Sequence, residues 1–238
     1  MIPLLSMSDP FPPVDRALDE PNGLLAAGGG LGMPRLLDAY ARGIFPWFSE
    51  GDPVLWWCPD PRMVLAPERI HVSKSLKRRL RRRDYEVSLD RAFPDVLRAC
   101  AAPRRDDGGT WLVPAMMRAY TRLHDAGVAH SVEVWIDDEL AGGLYGVALG
   151  RMFFGESMFT RRTDGSKIAI VALAAQLARW GFPLIDCQMR TAHLASLGAT
   201  EISRRPFVQA VDRLVREPRV ESPWTLDDKV IAALRQLP

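Results

Sequence analysis

The rhythm of apolar and polar positions changes near residue 62. Before it, Gly and Pro break every run: "EPNGLLAAGGGLGMPRLLDAYARGIFPWF" carries one short helix signal, with Pro34 in its first turn and Gly43 past its end. This stretch reads as a small, loop-rich N-terminal unit, residues 1–62, with Gly28 to Gly32 as a turn. "GGGLG" lacks a following Lys-Ser/Thr and any dinucleotide fingerprint, so it is not read as a phosphate loop. "VLWWCPDPR" places Trp56 beside Trp57 among Pro53, Pro59 and Pro61. Adjacent residues cannot share one helix face. The pair is expected either to close a junction between two units, the favoured reading, with the prolines stiffening the wall, or to offer flat surfaces.

Beyond Arg62 the periods are regular. Tyr85 to Leu89 predicts a strand, Arg91 to Cys100 a helix, and Pro114 to Ala126 a second helix closed by Gly127. "HSVEVWI", "LAGGLYGVALG" and "RMFFGESMF" predict three consecutive strands with hairpin punctuation. An Ala-rich helix follows from about Ser166 to Trp180, then a strand in "PLIDCQ", a short helix in "TAHLASLG" and a strand from Ala199 to Ser203. The order β-α-α-β-β-β-α-β-α-β is that of an α+β, acyl-CoA N-acyltransferase-like mixed sheet, here residues 63–238. In that fold two parallel central strands splay apart; Met152 to Met158 and Pro183 to Gln188 are the expected pair. Acetyl-CoA members carry R/Q-x-x-G-x-G/A before the long helix to hold a pyrophosphate. This chain has "RTDGSK", with Lys167 where a small residue belongs, which disfavours coenzyme A.

Composition narrows the chemistry. The 238 residues suffice for a substantial core, and no run approaches the ~18 to 20 apolar residues of a membrane span. The first residues lack a basic n-region followed by an apolar one, so the cytoplasm is the expected location and no membrane is a partner. Cys58, Cys100 and Cys187 are odd in number and widely spaced, and His71, His124, His130 and His193 show no ligand spacing; neither disulfides nor a metal are expected. The net charge of +2 conceals an asymmetry: Arg62 to Arg105 carries +8, the rest −6. At its centre, "KSLKRRLRRR" holds Lys74, Lys77, Arg78, Arg79, Arg81, Arg82 and Arg83. A solvated helical face is the ordinary meaning of such a run. Seven like charges without interleaved acids repel one another, however, and phosphate is their natural counterion. These seven are assigned to nucleic-acid phosphates.

Glu156 in "FFGESMF" and Asp186 in "LIDCQ" lie late in the two splayed strands, and Gln188, two residues on, is expected on the face of Asp186. A lone strand-end Asp more often satisfies loop amides. Two carboxylates and an amide at a splay point favour a site. No Ser/His or Cys/His arrangement suggests a covalent intermediate.

These details resemble the bacterial leucyl/phenylalanyl-tRNA-protein transferase family from about Glu20 to Phe207. The resemblance rests on "EPNGLLA", "RGIFPWF", "LWWCPDPR", "GTW" at Gly109 to Trp111, "HSVEVW", "GGLYGVA", "GESMF", Ser166-Lys167, "LIDCQ" and "SLGA". It implies transfer of Leu or Phe, with Met a further candidate, from aminoacyl-tRNA to the N-terminal Arg or Lys of acceptor proteins, marking them for degradation. It implies no cofactor, since the ester is already activated. Asp186 and Gln188 take the catalytic role by resemblance, and Glu156 positions substrate. Leu144, Phe153, Met158 and Ile185 are the candidate aminoacyl pocket, with core packing an equal reading for each. Relatives commonly carry Met at the position of Leu144 and Phe at that of Leu177. Trp47 and Trp111 are candidates for stacking on the 3′ adenosine, with Tyr40 nearby.

The residues support this chemistry on their own terms. A free α-amine titrates near 7.7 to 8.0, so enough is neutral at pH ~7 to attack an ester directly. The protein must chiefly hold two substrates in place. Gln188 cannot itself be a base, which leaves Asp186 to accept or relay the proton. A monomer is expected. Rival readings are an acetyl-CoA-dependent N-acetyltransferase and a noncatalytic RNA-binding module.

Overall fold

In this computed structural model residues 2–102 and 112–237 are described. The change of rhythm near residue 62 is a change of sheet. Four short strands, β1 (Leu4–Leu5), β2 (Leu24–Gly28), β3 (Phe45–Pro46) and β4 (Leu55–Trp57), pair in the order β1-β2-β4-β3 beside α1 (Met33–Ala41). These strands are unpredicted because runs this short, broken by Pro and Gly, have no period to read. β4 explains the tryptophan pair, since successive strand side chains point to opposite faces. Trp56 is fully buried, donates from Nε1 to the Gly28 carbonyl at 2.8 Å and meets Phe11 edge-on. Trp57 donates to the Trp47 carbonyl at 2.6 Å. Trp56 thus belongs to the core of the small sheet, and that core runs on unbroken to Phe93, Tyr145 and Phe207.

The second sheet opens with β5 (Arg62–Leu65), whose first residue, Arg62, is the last of the expected N-terminal unit. β6 (Glu86–Leu89), β7 (Ala129–Ile136), β8 (Glu139–Leu149), β9 (Met152–Thr160), β10 (Leu184–Gln188) and β11 (Thr200–Ile202) complete the order β11-β5-β10-β9-β8-β7-β6. β9 and β10 run parallel, from Leu184 opposite Met152 to Asp186 opposite Phe154. Beyond that point β9 continues on β8 while β10 turns away, which is the expected splay.

Helices cover both faces. α3 (Phe93–Ala101), α4 (Pro114–Asp125) and α7 (Arg204–Leu214) share a core with the small sheet and α1, whereas α2 (Lys74–Leu80), α5 (Gly165–Arg179) and α8 (Asp228–Arg235) pack on the other side. α5 is apolar nearly all round, as a helix enclosed by sheet and neighbouring helices must be. Its first residue abuts β8 so closely that a Cβ on Gly142 would lie 2.5 Å from the Gly165 carbonyl carbon. Glycine is required there for contact, not for φ. α6 (Ala192–Ser196) is a short turn capped by Thr191. The C-terminal segment is strapped down by Trp224, whose ring stacks on His130 at 3.7 Å and whose backbone N–H donates to Asp90 Oδ2.

Candidate active site

Two bulges shape the splay. β8 pairs Tyr145 with Ser157 and Gly146 with Gly155, leaving Glu156 as the extra residue. β5 pairs Val64 with Asp186 and Met63 with Gln188, leaving Cys187. A bulge resets strand alternation. Across this bulge Asp186 turns to Arg62 and Gln188 to Glu156, and both partners lie on the side of the sheet that carries Tyr40, Phe45, Tyr120 and Phe207. Gln188 has φ 61°, a left-handed conformation costing a non-glycine residue about 1–3 kcal/mol. Its N–H donates to Asp186 Oδ1 at 2.8 Å, which holds it there.

Asp186 is not the open carboxylate the sequence suggests. It is fully buried, and Arg62 donates from Nε to Oδ1 at 2.8 Å and from Nη2 to Oδ2 at 2.6 Å. The guanidinium, equally buried, lies between the rings of Phe45 and Phe207, at 4.7 and 4.6 Å from their centroids. Burial works against the Arg62 charge, but Asp186 more than offsets it and raises the pKa. The charge of Asp186 is thus matched within the protein. Arg62 escapes notice in the sequence, although "PDPR" carries it. The usable signal was that a strand acid in an apolar setting needs a cation.

Glu156 is the carboxylate at the cleft. Tyr40 donates to its Oε1 at 2.8 Å, Tyr120 to Oε2 at 2.6 Å, and Gln188 Nε2 to Oε1 at 3.1 Å. Burial pushes its pKa up to about 7; the two tyrosines and Gln188 oppose the rise and the charge of Asp186 adds to it. The same burial, with Glu156 beside them, holds Tyr40 and Tyr120 well above the ordinary tyrosine value. Tyr40 is thus no stacking platform: its ring is buried and its hydroxyl serves the carboxylate. Tyr120, on α4, was not distinguishable from a core residue by spacing.

The apolar candidates form two cross-strand pairs, Leu144 opposite Met158 and Phe153 opposite Ile185. All four join the core on the α5 side, the face away from Tyr40 and Tyr120. Phe153 and Met158 are five positions apart, an odd number that would place them on opposite faces; the bulge at Glu156 brings them to one. Leu144, Phe153 and Ile185 are buried, and Met158 is half-buried.

Trp47 is 39% exposed, its ring 5.5 Å from that of Trp57. Trp111 lies outside the described residues. In the basic segment, Ser73 caps α2 and Leu76 and Leu80 anchor it, leaving Lys74, Arg78, Arg81, Arg82 and Arg83 exposed and Lys77 partly so. Arg79 departs from the expected set: its side chain is only 12% exposed, bound to Asp84 at 2.6 Å and lying over Tyr85. Asp84 also holds Arg82 at 2.6 Å, so the run is not without an acidic partner. At the start of α5, Lys167 Nζ lies 3.1 Å from Asp164. Among the described residues no three His, Cys, Asp or Glu side chains cluster as metal ligands, and no helix is long and apolar enough to cross a membrane. A groove of about 750 Å³ between Pro12–Asp15 and α7 contains none of the candidate residues.

A mixed sheet whose parallel strands part over a carboxylate and an amide, with an apolar patch on the facing strands, defines an N-acyltransferase-like protein. Within that class the chain belongs to the leucyl/phenylalanyl-tRNA protein transferase family. The family model of that description matches residues 64–212, and the model of the family's N-terminal domain matches residues 30–60. Proteins named leucyl/phenylalanyl-tRNA–protein transferase are similar along nearly the whole chain. That of Nitrosospira multiformis is 58% identical, covering 97% of this chain and 100% of its own. Those of Nitrosomonas europaea and Chromobacterium violaceum are also 58% identical, covering 95% and 94% of this chain and 96% of each of theirs.

Proposed function

We propose that this protein transfers Leu or Phe, with Met a further donor, from aminoacyl-tRNA to the N-terminal Arg or Lys of acceptor proteins, forming a peptide bond that marks them for degradation. The observation that carries the proposal is family similarity over nearly the full length of chain and relatives together, with the cleft residues Glu156, Asp186 and Gln188 in hydrogen-bonded continuity. The donor ester is already activated, so no cofactor is required. Catalysis then reduces to holding the amine against the carbonyl and managing one proton.

In this reading Glu156 attracts the acceptor's cationic end, and Gln188, fixed through Asp186, orients the amine. Leu144, Phe153, Met158 and Ile185 receive the aminoacyl side chain where β9 and β10 part. Trp47, with Trp111, stacks on the terminal adenosine, and the exposed members of the basic segment contact tRNA phosphates. The protein works as a monomer in the cytoplasm. The test is incubation of purified protein with an Arg-initiated peptide and either Leu-tRNA, Phe-tRNA or acetyl-CoA. A tRNA-dependent Leu or Phe at the peptide N-terminus is expected. Acetylation, or an unmodified peptide, would refute the proposal.

A further inference from the structure

We infer that the proton released by the acceptor amine is taken up by Glu156, within a ring it forms with the hydroxyls of Tyr40 and Tyr120, and not by Asp186. The assignment rests on the transfer activity proposed above and on a count of protons. Three short oxygen–oxygen contacts close the ring: Tyr40 to Tyr120 at 2.8 Å, Tyr40 to Glu156 Oε1 at 2.8 Å and Tyr120 to Oε2 at 2.6 Å. Each needs one proton to be a hydrogen bond. With Glu156 ionised only the two hydroxyl protons are available, so one contact is oxygen facing oxygen. A proton on Glu156 supplies the third. The ring therefore has a place for one more proton, which it accepts when one tyrosine hydroxyl turns from the carboxylate to the other tyrosine.

Asp186 has no such place. Both lone pairs of its Oδ1 are occupied, by Arg62 Nε and the Gln188 N–H, Oδ2 is held by Arg62 Nη2, and the group is sealed from solvent. Glu156 is partly exposed at the splay, and Oε2 accepts from Tyr120 alone among the described residues. The step balances. The neutral amine forms its bond to the ester carbonyl carbon as the bond to the ribose oxygen breaks; one amine proton passes to Glu156 and is returned to the departing ribose oxygen. An amide and a free ribose hydroxyl result, with no net proton consumed. Tyr40 and Tyr120 are positioning residues that hold the acceptor carboxylate. The titratable and charged groups facing Glu156 are Tyr40 from α1, Tyr120 from α4, Tyr145 from β8, Asp186 from β10 and Arg62 from β5.

The decisive experiment is the pH profile of kcat at saturating Leu-tRNA and Arg-peptide. The base must be ionised, so the unaltered protein should lose activity as pH falls through about 7, the value of Glu156. Tyr40→Phe and Tyr120→Phe each remove a donor that favours the carboxylate. Each should therefore move that limb toward alkaline pH, by about one to two units. Glu156→Gln should abolish the limb and lower kcat by about 10²- to 10⁴-fold, whereas Asp186→Asn should keep it. The peptide amine titrates alike in every variant, so differences between profiles are what is read. A limb unmoved in both tyrosine variants, or lost in Asp186→Asn, would overturn the assignment, and the tyrosine variants decide it even where Glu156→Gln does not fold. Failure of the unaltered protein to transfer would overturn the activity itself and the assignment with it; transfer with an unmoved limb would overturn the assignment alone.

Discussion

Replacing Arg62 by Met tests the element that fixes the site's geometry. The substitution keeps an unbranched side chain between Phe45 and Phe207 but removes the guanidinium, leaving the Asp186 carboxylate buried with the Gln188 N–H as its remaining donor. Breaking a buried ion pair from one side costs about 3–5 kcal/mol, because the surviving charge is neither solvated nor paired. In a chain of this size each kcal/mol lowers Tm by roughly 2–4 °C, so the expected loss is roughly 6–20 °C. Asp186→Leu should cost a comparable amount. The double variant Arg62→Met/Asp186→Leu removes both charges and should recover to within about 1–2 kcal/mol of the parent. Urea unfolding followed by tryptophan fluorescence measures all four corners of the cycle. The double variant should fold yet transfer poorly, since nothing then holds the Gln188 N–H. Two results would refute the reasoning: a single Arg62→Met variant within about 1 kcal/mol of the parent, or a double variant as unstable as the sum of the singles.

Two further outcomes follow from the surface and the pocket. Neutralising Arg81, Arg82 and Arg83 should weaken tRNA binding and reduce the slope of log affinity against log salt by ~0.7 to 0.9 per lost phosphate contact; Arg79→Gln, at a side chain already engaged by Asp84 and Tyr85, should leave the slope nearly unchanged. Transfer from Leu-tRNA should greatly exceed transfer from Ile-tRNA at matched charging. Branching at the β-carbon places bulk beside the reacting carbonyl, whereas a methylene deeper in an apolar pocket discriminates by only ~1 to 3 kcal/mol. Equal rates would reduce Phe153, Met158 and Ile185 to core packing.

Periodicity and turn punctuation together determined the second sheet's strands from β6 onward, except at their ends, and the helices α3 to α6; the longer of these show one face in isolation, and the shorter are marked by the residues that bound them. Motif content determined the family. The short strands of the N-terminal sheet were illegible, since two to five residues between Pro and Gly carry no period, and β5 passed unnoticed for the same reason. At the candidate site, Glu156, Asp186 and Gln188 were singled out from their place late in two strands. Their relation was not, because it hangs on two single-residue bulges that local sequence does not announce. One bulge leaves Cys187 unpaired between Asp186 and Gln188; the other brings Met158 to the side of Phe153. Only the tertiary structure decided which carboxylate is neutralised and which stays open. That depends on Arg62, Tyr40 and Tyr120, residues 124, 116 and 36 positions away from the groups they serve. A carboxylate's charge state follows from the donors and solvent around it, and those are assembled by packing rather than by neighbours in the chain.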